Sequence, residues 1–445
     1  MALTALTALS STISTSTLST PSTVSTSTLS TFSTVSTVST SQSRYAFSSR
    51  QMGTEARIIV YARTERTARD ATSHAFARIA ALDAVMSDYR DDSELAALCR
   101  RAGGGAVRIS DDLFRVLQES QRLARVSGGA FDVTAGPLTH LWRRARRLDE
   151  LPPEDRIRAA LAVTGADKLI VRGRTAELQL AGMQIDLGGI GKGFAADEAA
   201  VILKRDGIRA ALIAIGGDIV AIGAPPGAAG WTVATSGIPG PASGMRDTGS
   251  EAQVPPDNTR IVLRDAAVST SGDAEQWLDV GGVRYSHIID PHTGMALTGR
   301  RAVTVVARQG ALADGLATAV SVMGPAAGLD LVNRTAGCAA RFSIAQGGEV
   351  RTMMSSRWPD YLTGGGSGPI STRRNSTSEP SAWSAMRPRS AVQPKPSLTM
   401  SPLTQTLIVR PRASTTMVFH SPGGFSDPSV RLRMRRASPS LPPHF

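Results

Sequence analysis

"AALIAIGGDIVAIG", residues 210–223, sets two apolar runs on either side of Gly216-Gly217-Asp218. Each run has strand length, and the residues between them are turn formers. A turn this short joins neighbouring antiparallel strands, whereas a parallel pair needs a crossover of a dozen or more residues. The surrounding sequence has the same character. "KLIVRG" and "AELQL" (168–173, 176–180), "MQIDLGG" (183–189), "GWTVATSG" (230–237), "TRIVLRDAAVSTSG" (259–272) and "RRAVTVVAR" (300–308) are expected strands. "TEARIIVYA" (54–62) is expected to open the domain as a strand.

Helices are fewer. In residues 67–89, Ala75, Ile79, Leu82 and Met86 fall at helical spacing. Ser110 can cap a helix that Gly128-Gly129 stop. "FAADEAAVILKRDG" (194–207) and "LADGLATAVSVMG" (312–324) complete the set. Strands in consecutive groups, with helices between groups, point to an α+β fold. Its sheets are mixed and largely antiparallel, with helices flanking them.

Composition marks the limits of that domain. Residues 1–43 carry no charge, and 27 of the 43 are Ser or Thr, too little apolar surface to offset ordering. Residues 364–445 are rich in Ser, Pro and Arg, and positions 365–445 hold 11 Lys/Arg against 2 Asp/Glu. Both ends are expected to be disordered, as is an insert at about 240–258, leaving a domain at 44–363. The tail carries most of the formal +12 charge, and aromatic residues make up 4% of the chain. Both facts argue against nucleic-acid binding by the folded part. The apolar runs are too short for a transmembrane segment. No basic residue precedes Arg44, and no lipid-anchor cysteine follows the start, so neither signal peptide nor lipobox is visible. Cys99 and Cys338 fit neither a zinc pattern nor a disulfide framework.

Four segments concentrate Gly, Asp, Thr and His. "SGGAFDVTAGPL" (127–138) has glycines that let a ligand approach, a Phe that can stack and an Asp that can accept hydrogen bonds; it also reads as a plain helix stop. "DLGGIGKGFAAD" (186–197) runs from an expected strand into a helix, which suits an anion. It is not a P-loop, since Gly193 follows Lys192 where Ser or Thr is needed, and its third Gly is one position early for a dinucleotide fingerprint. In "HIIDPHTG" (287–294), alternation puts Ile288 on the face opposite His287, and Pro291 ends the strand. In "ADGLATA" (313–319), Asp314 and Thr318 share one helix face and offer the oxygen ligands that hard Mg²⁺ takes. Each segment alone has an ordinary structural reading. Together they describe a Gly-rich, metal-assisted site for an anionic ligand.

In order along the chain, these segments resemble the ApbE family, the FAD:protein FMN transferases. "QMGTEARIIVYA", "MSDYRDDSEL", "GGAFDVTAGPLTHLW", "DLGGIGKGFAAD", "ALIAIGGDIVAIG", "VSTSGDAEQW", "YSHIIDPHTG" and "ADGLATAVSVMG" carry the likeness. The resemblance implies Mg²⁺-dependent cleavage of FAD, transfer of FMN to a Ser or Thr of an acceptor protein, and release of AMP. Some relatives mainly hydrolyse FAD to FMN and AMP, and a non-catalytic FAD-binding protein is the third alternative. By resemblance, Met52, Tyr89, Ala130, Phe131, Asp132, Asp186, Lys192 and Ile288 line the FAD site. Gly189 and Ala317, through backbone oxygens, join Asp314 and Thr318 as metal ligands. His287 matches the catalytic base, with Asp290 beside it either to orient the ring or to contact the metal. The family likeness implies the cell envelope, on its periplasmic side; the cytoplasm is the alternative.

Overall fold

The turn at Gly216-Gly217 forms as its residues dictate. Gly216 adopts φ 58°, and Ile215 pairs directly with Asp218. Asp218 is therefore the first residue of a strand rather than part of the turn. The computed structural model describes residues 41–235, 237–238, 259–272, 276–346 and 349–362. The expectations for 1–40, 240–258 and 364–445 lie outside the described residues.

The chain begins with β1 (Ser43–Gln51) and β2 (Thr54–Ala62), then α1 (Glu65–Met86), α2 (Glu94–Arg100) and β3 (Val107–Arg108). Helices α3 (Asp111–Val126), α4 (Gly136–Leu148) and α5 (Glu154–Ala162) follow, with β4 (Leu169–Arg172) and β5 (Thr175–Leu178). Next come α6 (Gly191–Arg205), β6 (Ala211–Ile215), β7 (Asp218–Ile222), β8 (Trp231–Thr235), β9 (Thr259–Leu263) and β10 (Ala266–Gly272). The last part holds β11 (Trp277–Val280), β12 (Val283–Ile289), β13 (Ala296–Thr298), β14 (Arg301–Ala307), α7 (Gly310–Arg334), β15 (Ala339–Gln346) and β16 (Glu349–Met354).

The main sheet has eight strands in the order β1-β2-β6-β7-β10-β14-β15-β16. All pairings between these strands are antiparallel. Smaller sheets are β11-β12-β13, β3-β5-β4 and β8-β9, also antiparallel. Among the described residues, the expected mixed character is thus confined to one isolated parallel bridge, Ala135–Gln184. That bridge is all the sheet structure "MQIDLGG" has: Met183, Ile185 and Leu187 are buried, but as loop residues. β1, not β2, opens the domain.

Helices α1, α6 and α7 pack on one face of the main sheet. Alternation along β7 divides its residues between the faces: Val220 approaches Gly310 of α7, while Ala221 joins a core on the other side. That second core contains Trp231 and Val233 of β8, Ile261 and Leu263 of β9, and Trp358 and Tyr361. Arg78 of α1 and Arg115 of α3 both bond Glu198 of α6 and Asp112 of α3, tying the three helices together at one edge. A third core joins Leu138, Trp142 and Ala145 of α4 and Ile157 of α5 to Leu278, Ile289 and Ala296 of the β11-β12-β13 sheet. It holds the "HIIDPHTG" turn in place, since Trp142 Nε1 donates to the Gly294 carbonyl at 2.8 Å.

Helix α7 breaks at Gly324 (φ 77°, ψ 176°), ahead of Pro325, where the sequence places its end. Among the described residues it is the one helix long and apolar enough, by length and composition, to cross a membrane. Its apolar character has an interior use, because Ala313, Leu316, Ala317, Ala319 and Val320 are buried. Cys99 and Cys338 are both free thiols, as two distant cysteines imply.

Candidate functional site

Three segments meet where α6 begins. Asp186 shapes the first: its Oδ1 accepts the Gly188 N–H at 2.7 Å, and the Ile190 and Gly191 N–H groups both turn back to the Leu187 carbonyl. This Asx-type turn exposes Gly189 on its inner side. A Cβ at Gly189 would lie 3.0 Å from Thr318 Oγ1 and 3.3 Å from Phe131 Cε2. Glycine at 189 therefore lets the loop backbone come close to both side chains. Loop 186–189, α7 and the Ala130-Phe131 segment converge at this point.

Asp314 lies one turn before Thr318 on α7 and is 3% exposed. Its Oδ2 accepts the Gly193 N–H at 3.3 Å and stands 3.7 Å from Lys192 Nζ. Burial first, then the negative charge of Asp218, pushes the Asp314 carboxyl up to about 7, against the pull of Lys192. Lys192 Nζ is nearer Asp218 Oδ2, at 3.0 Å, and donates to the Gly188 carbonyl at 3.1 Å. Burial alone would lower the Lys192 pKa; Asp218 and then Asp314 raise it instead. Thr318 Oγ1 is 3.5 Å from Ser271 Oγ on β10. The Ala317 carbonyl accepts the Ser321 hydroxyl at 2.8 Å within the helix.

The residues expected to line the FAD site differ in exposure and surroundings. Tyr89 is 77% exposed, and its ring lies 4.5 Å from the Arg143 guanidinium carbon. Arg143 is clamped by Asp88 and by Asp186 Oδ2, the latter at 2.9 Å. Burial works against ionisation of Asp88, but hydrogen bonds from His140 and Arg143 outweigh it and lower the pKa. Met52 sits in the β1–β2 turn at φ 50°, with its Cε 3.8 Å from the Cβ position of Gly191. Ala130 and Phe131 are buried. Asp132 turns away, bonding the Thr134 N–H and hydroxyl, and burial raises its pKa. It lines a cavity of about 850 Å³ with Arg125, Gly128, Gly129, Arg172 and His292. That cavity takes in Asp132 but none of the other expected site residues, most of which lie around the α6–α7 junction instead.

Strand β12 ends at Ile289 and packs against α7 and α4. Ile288 is buried, and His287 is half-buried with Nδ1 3.4 Å from the Gln276 carbonyl. A carbonyl only accepts, so where this contact is a hydrogen bond the hydrogen sits on Nδ1. Asp290 serves its own turn. Its Oδ1 accepts from the His292 N–H at 2.9 Å and faces His292 Nδ1 at 3.0 Å, and its Oδ2 accepts from the Thr293 hydroxyl at 3.1 Å. His292 Nε2 in turn lies 3.0 Å from the Gly128 carbonyl, joining this turn to the Gly128-Gly129 segment.

Sequence reasoning did not single out Asp218, Arg143, Asp88 or Asp197. Asp197 of α6 accepts the Gly310 and Ala311 N–H groups at 2.7 and 3.0 Å and so caps α7 from outside. Asp88, Asp197 and Asp218 lie within segments quoted for the family likeness and Arg143 lies just after one, but only long-range contacts show what each of them holds. Gly189 approaches the Thr318 hydroxyl, and the Asp314 carboxylate lies one helical turn from Thr318; both side chains offer oxygen, the donor type a hard cation takes.

The sequence model of the ApbE family matches residues 52–342. A Vibrio cholerae protein named FAD:protein FMN transferase is 35% identical over 247 residues, covering 55% of this chain and 70% of its own length. A Treponema pallidum protein of the same name is 34% identical over 297 residues, covering 63% and 79%. The solved flavin transferase ApbE from Vibrio cholerae superposes with a TM-score of 0.64 at 29% identity, over 72% of this chain and all of that one. The apo form of Pseudomonas stutzeri flavinyl transferase ApbE gives 0.63 at 28%, over 72% and 98%. From Met52 in the β1–β2 turn to Phe342 in β15, the family match takes in the whole site, and the chain belongs to the ApbE family.

Proposed function

We propose that this chain is a Mg²⁺-dependent FAD:protein FMN transferase, attaching FMN through a phosphoester bond to a Ser or Thr of an acceptor protein and releasing AMP. That it is a transferase follows from its family and from relatives carrying that name. The observation that supports this chemistry is the approach of Gly189 to Thr318 beside Asp314, with Lys192 at the same point.

The donor set fits Mg²⁺. Among the described residues no group of three or more His, Cys, Asp or Glu could hold a metal. Mg²⁺ is commonly held by one or two carboxylates together with substrate phosphates, and Asp314 with the Gly189 and Thr318 oxygens matches that need. Bound there, it would draw charge off the pyrophosphate and support the departing AMP.

The protein's own residues do the rest. Lys192 offers a point charge to a phosphate. Tyr89, backed by Arg143, offers a flat face to a ring of FAD. His287 Nε2 takes the proton of the acceptor hydroxyl as its oxygen attacks the FMN phosphorus. The bond from that phosphorus to the AMP oxygen breaks, and AMP leaves with the electron pair. Incubation with FAD, Mg²⁺ and a Thr-containing acceptor, followed by mass spectrometry, tests this: the expected products are an FMN-bearing acceptor and AMP in equal amounts. Free FMN formed whether or not the acceptor is present would instead identify an FAD pyrophosphatase.

A further inference from the structure

Lys192 lies between two buried carboxylates, and only one of them belongs to the metal group. Asp218 opens β7 at 3% exposure. Its Oδ1 is fixed by the Ser269 hydroxyl of the neighbouring β10, and its Oδ2 is 3.0 Å from Lys192 Nζ. Asp314 Oδ2 is farther from the same ammonium, at 3.7 Å. We propose that Asp218 is a positioning residue: it draws the Lys192 ammonium toward the sheet and so leaves the Asp314 carboxylate open to a divalent cation. This rests on the metal site described under the proposed function.

The physical case is a competition. An ammonium on a four-carbon stem turns toward the nearest strong acceptor. Two strands hold Asp218 rigidly, since Asp218 pairs with Ile215 on one side and with Ser269 on the other. The Gly188 carbonyl, 3.1 Å from Nζ, adds a second anchor. Without the Asp218 charge, Asp314 becomes the nearest carboxylate. The ammonium would then pair with it, and an incoming cation would have to displace a buried ion pair. With Asp218 present, each cation has its own carboxylate.

The test measures Mn²⁺ binding to the full chain without flavin, by titration against the electron paramagnetic resonance signal of free Mn²⁺. Asp218→Asn is expected to weaken Mn²⁺ binding by roughly tenfold or more, the order seen when a group supporting a metal ligand is lost. Adding Lys192→Met to Asp218→Asn should restore the wild-type affinity, which a merely structural role for Asp218 would not allow. Unchanged Mn²⁺ affinity in Asp218→Asn, or no recovery in the double variant, would overturn the inference. Should Asp218→Asn fail to fold, Ser269→Ala loosens Asp218 without removing its charge. Weaker Mn²⁺ binding that Lys192→Met again restores would support the inference, and wild-type binding would overturn it. If the wild-type chain itself binds no Mn²⁺ without flavin, the preformed metal site on which this inference rests fails as well; if it binds normally and Asp218→Asn matches it, only this inference fails.

Discussion

Gly193 and Gly310 cross with their backbones in contact. A Cβ on Gly193 would lie 2.2 Å from the Gly310 carbonyl oxygen, and one on Gly310 would lie 2.5 Å from the Gly193 oxygen. The crossing lets α6 and α7 exchange caps. Asp314 of α7 receives the Gly193 N–H, and Asp197 of α6 receives the Gly310 and Ala311 N–H groups. The same closeness brings Lys192 to Asp314 and Gly189 to Thr318.

Gly193→Ala should therefore destabilise the fold, because the clashing atom is backbone and cannot rotate away. Overpacking of this kind costs about 1–3 kcal/mol, and separation of the helices would also weaken the contact to Asp314. Gly191→Ala, two residues earlier, meets nothing closer than 3.7 Å and should be close to neutral. Chemical denaturation of the two variants beside wild type checks the contrast.

The buried Asp314 carboxyl gives a pH signature. With its folded value pushed up to about 7 from 3.8, the folded chain holds this proton more tightly than the unfolded one does. In metal-free protein its contribution to stability is full below about pH 4 and lost as pH rises through about 7. A cation binds the deprotonated form, so stabilisation by Mg²⁺ grows across the same window. Thermal unfolding with Mg²⁺ or EDTA should show a larger Mg²⁺-induced rise in Tm at pH 8 than at pH 6. Asp314→Asn should remove most of that difference.

Much of this architecture is legible in the sequence where the cause is local. The Gly216-Gly217 turn, the Ser110 cap, the helix end at Gly324 and the shared face of Asp314 and Thr318 each follow from a few adjacent residues. "MQIDLGG" misleads because its alternation is real: Met183, Ile185 and Leu187 all point inward. What it lacks is a partner strand, and that depends on a distant segment. β1 is hard to read for the opposite reason. As an edge strand it alternates only between exposed and half-buried residues, so its apolar signal is weak. Asp218 and Arg143 acquire roles only through partners 26 to 55 positions away in Lys192, Asp88 and Asp186, and no spacing rule reaches that far.

Tyr89 and Arg143 should matter for binding more than for turnover. An exposed aromatic backed by a clamped guanidinium is a preformed ledge for a flat ring. Tyr89→Ala is expected to weaken FAD binding by about 1–2 kcal/mol, roughly five- to thirtyfold, with kcat little changed. Arg143→Lys keeps the charge but loses the planar fork between Asp88 and Asp186, and should raise KM for FAD in the same sense. Fluorescence titration of FAD together with steady-state kinetics separates the two parameters.

His287 at the end of β12 and Asp290 in the turn after it are expected to differ in role. His287→Ala should abolish FMN transfer while FAD binding stays near wild type, because the ring is assigned to the proton of the acceptor hydroxyl. Asp290 requires a different test, since its oxygens accept from His292 and Thr293. Asp290→Asn keeps an acceptor for the His292 N–H, and the Thr293 hydroxyl can rotate to accept from the new amide, so it should retain most activity. Asp290→Ala leaves the turn without those bonds and should cost about 1 kcal/mol of stability, with a partial loss of transfer. Transfer assays and thermal unfolding on the three variants distinguish these roles. An Asp290→Asn variant as inactive as His287→Ala would move Asp290 from holding the turn into the proton-transfer chemistry.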